Sequence, residues 1–378
     1  MTGAATAAVE AVAGRKVDPS HAALIFRSER HLRVDGVAPS IWDPLTGDYQ
    51  AADGVVRLHC NYPAHRAAAL TVLPAEKIRQ RPAVDVETAV HAAGGAAAAL
   101  RTPDEWGKHP QGQAVAAEPL IAFEPVRNGR AAPGGDRLRV LDLTRVIAGP
   151  VAGRALAALG ADVLRVGAEH LALVPAAAVD TGFGKRFTHL DLRTTGGRAA
   201  LLALVKDADV LIQAYRPGAL ERFGLGPADL AAHNPRLAYV SINAWGHTGP
   251  WATRRGFDSL VQLATGIASP WAAGELTHPL PAQALDHATG WFAAAAALEA
   301  VRRHRADGGA WHARLSLART ALWLAGLGRV AADPEPDPAP YLSTMDSPYG
   351  TLTYVRSPVG EYSGPPHKPG ADPPVWLS

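Results

Sequence analysis

Residues 139–166 read RVLDLTRVIAGPVAGRALAALGADVLRV, and this stretch limits the fold more than any other. An apolar β-like run, a Gly-Pro turn, an Ala/Leu-rich helix and a second apolar run follow without a break. Residues 138–143, 163–166, 210–214 and 237–242 repeat the β-like pattern, and helical stretches such as 197–206 lie between them. Alternation of this kind predicts a parallel sheet with crossover helices, so the fold class is α/β with a Rossmann-like large domain.

Composition removes several function classes. With 48% hydrophobic and 19% charged residues in 378, the chain can bury one large core or two moderate ones. Gly, Arg, Asp or His interrupts each apolar run before it reaches the length of a bilayer span, so no membrane partner is expected. The basic residues of MTGAATAAVEAVAGRK follow its apolar part, the reverse of a secretory signal. One cysteine, Cys60, provides no disulfide framework and fits a reducing cytoplasm. A formal charge of +2 with dispersed arginines gives no footprint for nucleic acid. His59, Cys60 and His65 lie close together, but a structural zinc site wants four ligands and there is no second cysteine, so no metal is expected.

Four regions are expected. Residues 1–127 form a small α+β domain behind a weakly structured or helical lead of roughly 40 residues. Turn signals at Leu45-Thr46-Gly47 and Ala52-Asp53-Gly54 predict short antiparallel strands there, and 84–100 reads as a helix weakened by Gly94-Gly95. Thr102, Pro103, Asp104 and Glu105 form a helix start. Residues 128–137 are a Gly/Pro-rich linker, 138–330 the Rossmann-like domain, and 331–378 a Pro-rich extended tail.

Three segments carry candidate chemistry. The turn Ile147-Ala148-Gly149-Pro150 opens a helix whose free N–H groups and dipole suit an anion, or else it is an ordinary crossover turn. Lys185, Arg186, Arg193, Arg216 and Arg222 fall near strand ends; they either bind phosphate or pair with Asp191, Glu221 and Asp229 on a solvated face. Asp286 stands at the mouth of an apolar helix over 287–305 that Gly308-Gly309 stops. It is either the N-cap of that helix or a carboxylate nucleophile.

The blocks VLDLTRVIAGP, LGADVLRV, GKRFTHLDLR, DADVLIQAYRPGALERFGLG, NPRLAYVSINAWGHTGP, GFDSLVQLATGI and ALDHATGWFAAAAALEA span roughly 138–318. In order and spacing they resemble the family III CoA-transferases (CaiB/BaiF-type). That group contains formyl-CoA and carnitine CoA-transferases and, as divergent relatives, α-methylacyl-CoA racemases. The resemblance implies a CoA-binding Rossmann-like domain, Asp286 as nucleophile, and transfer of CoA from an acyl-CoA to a carboxylic acid through an aspartyl mixed anhydride and an aspartyl-CoA thioester. Coenzyme A enters as substrate, with no tightly bound cofactor, in a cytoplasmic homodimer. The family's CoA contacts fall on Ile147, Ala148, Leu190, Asp191, Leu192 and Arg193. Further contacts fall on Ala214, Tyr215, Arg216 and Arg222, and on Arg255, Gly256, Phe257 and Asp258.

Three departures stand out. Gly167 and Ala168 replace the acidic and basic residues that usually follow the second strand. Phe257 stands where racemases place a catalytic histidine. The stretch resembling the small domain precedes the large one, a permuted order. A racemase or epimerase would need His287 or His247 as its second acid/base group, and a non-catalytic CoA-binding subunit is the third reading.

Overall fold

The computed structural model describes residues 2–131, 135, 137–270, 275–328 and 334–377. Its first four strands, Arg33–Val34 (β1), Gly47–Gln50 (β2), Val55–Leu58 (β3) and Ala97–Ala99 (β4), stand outside the main sheet. Seven more build that sheet: Ala122–Arg127 (β5), Arg139–Leu143 (β6), Asp162–Gly167 (β7), Lys185–His189 (β8), Val210–Gln213 (β9), Ala238–Asn243 (β10) and Ala310–Ser316 (β11). Their spatial order is β5-β11-β10-β9-β6-β7-β8. Leu342–Ser347 (β12) and Gly350–Val355 (β13) follow.

From β6 to β11 all pairings are parallel, and only β5 runs antiparallel, against β11. Counted from β6, the six parallel strands lie in the doubly wound order 3-2-1-4-5-6, as the Rossmann-like expectation requires. Adjacent residues of each strand serve opposite faces. Val140, Val163 and Val210 join a core with Ala152, Leu156 and Ala293, while Leu141, Leu164 and Leu211 join another with Leu201, Leu204 and Leu230. That double burial is why these strands read as unbroken apolar runs. The winding reverses between β6 and β9, and the crevice above their carboxyl ends is where such sheets bind ligands.

Outside the sheet the sequence reading needs corrections. The N-terminal lead is helical over Thr2–Ala13 and Pro19–Ile25, and its Ala5, Ala8, Leu24 and Phe26 lie in the main core rather than in a small domain. Strand β5 falls before the expected boundary at 127/128 yet forms an edge of the large sheet. The helix expected over 84–100 ends early. Ala83–Ala92 is helical, Gly94 takes a φ of +81°, and β4 then pairs with β3. Strands β2, β3 and β4 enclose a separate small core with Val56, Leu58, Val86 and Val90.

The tail is not simply extended. Strands β12 and β13 form a hairpin, and β1 pairs with β13, so both ends of the chain share one sheet. Beyond it the chain does drape over the β8 edge, where Gly184 N donates to Gly364 O and Asp372 N to Phe187 O. Linker positions 132–134 and 136, and 329–333 at the tail boundary, lie outside the described residues.

Candidate active site

Helix Ala284–Asp307 starts two residues before Asp286, with Gln283 at the cap. Asp286 is therefore not the N-cap; it sits in the first turn with its carboxyl free for another partner. Only 5% exposed, that carboxyl accepts a hydrogen bond from the backbone N–H of Ala148, the first residue of helix Ala148–Ala158. Two helix N-termini thus meet at one carboxylate, and both dipoles favour its charge.

Glycine makes this meeting possible. A Cβ on Gly290, one turn beyond Asp286, would lie 2.4 Å from Ala148 O and 2.8 Å from Val151 Cβ. No side chain fits where the two helices cross. The loop from β6 into helix Ala148–Ala158 is held tightly as well: Val146 has a φ of +74°, which β-branched residues rarely adopt, and a Cβ on Gly149 would lie 2.3 Å from Thr144 Cβ.

A second carboxylate lies beneath the first. Asp258 is fully buried; its Oδ2 accepts from Asp286 N at 2.8 Å and its Oδ1 from Gln262 Nε2 at 2.5 Å. Burial pushes Asp258 up to about 6, against the pull of its hydrogen bonds. Burial, then the charge of Asp258, then that of Glu29 hold Asp286 well above the ordinary carboxylate range, and the Ala148 N–H offsets this only in part.

Above the sheet, a narrow cleft opens between the ends of β6, β7, β8 and β9, lined by Thr144, Arg145, Arg165, Gly167, Phe187 and Tyr215 among others. Arg165 stacks on Phe187, its Cζ 4.5 Å from the ring centre, and Arg145 lies 5.8 Å from the ring centre of Tyr215. The absence of a side chain at Gly167 has a steric cause, since a Cβ there would meet Phe187 Cε2 at 2.7 Å. Tyr62 links cleft and nucleophile. Burial raises its hydroxyl pKa, Arg145 and Arg165 lower it, and Asp286 raises it.

The residues singled out by sequence divide into groups. Ile147, Ala148, Phe257, Asp258 and Asp286 gather at the inner end. Asp258 is wholly engaged inside the protein, so it positions Asp286 rather than facing solvent. Phe257 lies face to face with His59, ring centres 3.6 Å apart, and Gly256 gives Trp245 room, since a Cβ would lie 2.6 Å from its Nε1. Tyr215, Arg216 and Ala214 follow β9 at the switch point, and Arg255 lies close enough to Arg216 to feel its charge.

Leu190, Asp191, Leu192 and Arg193 follow β8, where Arg193 is held by Asp191 at 2.7 Å and lines an outer groove with Glu169 and His170. Arg222 lies over Phe223 in the turn after β9. Lys185 and Arg186 stand at the opposite end of β8, paired with Asp142 and Asp162, and are not ligand groups. Among the described residues Arg145, Arg165, Arg216, Arg222 and Arg255 have no carboxylate within 4.0 Å. His287 is bonded to Glu29 and His247 to Leu315 O.

Sequence reasoning missed Arg145, Arg165, Tyr62 and Glu29. The arginines did carry a signal, being cations inside or just after strands otherwise apolar; the other two had none. His59 and His65 are packing partners of Phe257, and burial lowers them to about 3 and about 4, so both are neutral. No group of three or more His, Cys, Asp or Glu among the described residues could hold a metal ion, and no helix is long and apolar enough to cross a membrane.

Comparison with known proteins finds a family and relatives for part of the chain. The model of CoA-transferase family III matches residues 136–341. A probable fatty acyl-CoA transferase of Mycobacterium tuberculosis, Rv3272, is 34% identical over 229 residues, 54% of this chain and 57% of that protein. A succinate–glutarate CoA-transferase of Agrobacterium fabrum is 37% identical over 150 residues, 35% of this chain and 38% of that protein. The orthorhombic crystal structure of Rv3272 aligns over 53% of this chain and 59% of its own, with a TM-score of 0.47 and 32% identity. The chain spans about half the length of the curated relatives it matches.

Proposed function

The chain belongs to CoA-transferase family III, and we propose that it moves CoA from an acyl-CoA thioester to a free carboxylic acid with Asp286 as nucleophile. The observations that carry this reading are a buried carboxylate bonded to a helix N-terminus and, at the strand ends, a cleft lined by Arg145 and Arg165, which lack carboxylate partners among the described residues. Phosphates of coenzyme A are bound by Arg145, Arg216 and Arg255, whose guanidinium groups suit them by charge and by fork geometry. Arg165 and the rings of Tyr215 and Phe187 line the way inward.

Asp286 attacks the thioester carbonyl, the C–S bond breaks, and an aspartyl mixed anhydride and CoA thiolate result. The thiolate attacks the aspartyl carbonyl, releasing the donor carboxylate and leaving an aspartyl-CoA thioester. The acceptor carboxylate displaces thiolate to form a second anhydride. Thiolate then attacks the acceptor's acyl carbonyl, and Asp286 is restored. No proton is needed in the balance, so a site that holds one anionic carboxylate in a fixed place is sufficient. Because a carboxylate is a weak nucleophile in water, positioning must supply the rate; effective molarities of about 10⁵ M or more are reached by well-oriented groups.

Asp286→Asn tests the assignment. Exchange of labelled CoA between acyl-CoA and acid is expected to fall at least about 10³-fold, while CoA binding by calorimetry stays within about twofold. Full exchange by a variant shown to be free of deamidation would reject Asp286.

A further inference from the structure

Behind Asp286 the N-terminal segment reaches the same helix turn from the other side. Glu29, in the short helix Ser28–His31, places Oε2 3.2 Å from Nε2 of His287, the residue after the nucleophile. The His287 ring is completely buried and stacks on Phe26, ring centres 5.5 Å apart. The Glu29 side chain is only 11% exposed. Its own helix is anchored: Ser28 Oγ donates to Asp180 Oδ2 at 2.7 Å, and Arg154 Nη1 reaches both. A glutamate brought this deep from far away in sequence costs desolvation.

We propose that Glu29 is a positioning residue for Asp286: by bonding His287 it fixes the first turn of helix Ala284–Asp307, and it adds a further carboxylate charge, after that of Asp258, near the nucleophile. The proposal rests on the role given to Asp286 above. Other charged or titratable groups face the nucleophile too. They are Asp258 from helix Asp258–Ala264, Tyr62 from the small domain, and His287 on its own helix. Arg154 and Asp180 border Glu29 and offset each other as an ion pair. Burial of Glu29 raises its pKa, but the bond and charge of His287 outweigh that, so its carboxyl is lowered and anionic at neutral pH. An anion near Asp286 disfavours a second one; removing it favours ionisation of Asp286 at lower pH.

The test follows the ionisation of Asp286 directly. In protein with carbon-13 at the aspartate side-chain carboxyls, the Asp286 signal is assigned by its loss in Asp286→Asn and followed against pH. Glu29→Gln, which keeps a hydrogen-bonding atom but no charge, is expected to lower the Asp286 midpoint by about half a pH unit or more. Glu29→Asp, which keeps the charge, is expected to stay closer to wild type. Glu29→Met serves as the neutral variant should Glu29→Gln fail to fold.

In the exchange assay the acidic limb of kcat/KM is expected to move down with the midpoint, CoA affinity staying unchanged. A folded neutral variant whose Asp286 midpoint equals that of wild type overturns the proposal, even if the variant is less heat-stable. The two readings fail separately: if Glu29→Gln lowers the Asp286 midpoint but the wild-type protein exchanges no CoA, the transferase reading is lost and this one is kept.

Discussion

At the inner end of the site the carboxylates have their partners inside the protein. Asp286 accepts from Ala148 N, Asp258 from Asp286 N and Gln262, and Glu29 contacts His287. At the rim Arg145, Arg216 and Arg255 have, among the described residues, no carboxylate within 4.0 Å. The inner groups are buried, where a fixed dipole acts at short range without screening; the rim is open to water and counter-ions. Buried and satisfied groups hold a reacting atom in place, whereas unsatisfied surface charges await a ligand that brings the opposite sign. On the proposed function, the difference assigns chemistry to one end and recognition to the other.

Breaking the inner end is expected to have the largest effect. Gly290→Ala puts a methyl group on the Ala148 carbonyl and forces the two helices apart. Stability is expected to drop by about 1–3 kcal/mol, read as a lower Tm. Exchange in the folded fraction is expected to fall by about a hundredfold, because the Ala148–Asp286 bond lengthens. Asp258→Asn removes the charge next to Asp286 but keeps an acceptor oxygen. On the proposed mechanism transfer needs the Asp286 carboxylate, so activity is expected to be lost as pH falls through its pKa and the variant to hold activity about one pH unit lower. A pH profile of kcat/KM checks this, and a limb that moves upward would contradict it.

The rim is expected to respond more weakly and differently. Arg255→Ala should raise KM for acyl-CoA about tenfold with little change in kcat, the loss of one charge-assisted phosphate bond. The smallest effect belongs to Arg193→Ala. This arginine is 59% exposed and occupied by Asp191, so less than about a twofold change in KM is expected.

The same division explains what the sequence made legible. Strands β6, β7, β9 and β10 could be read because burial on both faces leaves apolar runs, whereas β8 (KRFTH) and β11 (AWHARLS) carry charged and polar residues and gave no such run. The Asp286 helix could be read because its Ala-rich stretch ends at Gly308-Gly309. Its start was misplaced, since Ala284 and Leu285 carry no capping signal and the turn is fixed by Asp258 through space. Glu29 and Tyr62 could not be found from pattern, since each meets the site across more than 200 residues of chain. The hairpin β12–β13 was hidden by the prolines around it, although Leu352, Tyr354 and Val355 are buried. Long-range packing placed these residues, and one sequence does not record it.

The central claim is a covalent bond to one side chain. The protein is incubated with an acyl-CoA and a carboxylic acid, quenched with hydroxylamine, and its peptides are weighed by mass spectrometry. A hydroxamate on Asp286, dependent on acyl-CoA and absent from Asp286→Asn, is the predicted result. Active exchange with no modification of Asp286, or with a hydroxamate on another carboxylate, would contradict the account.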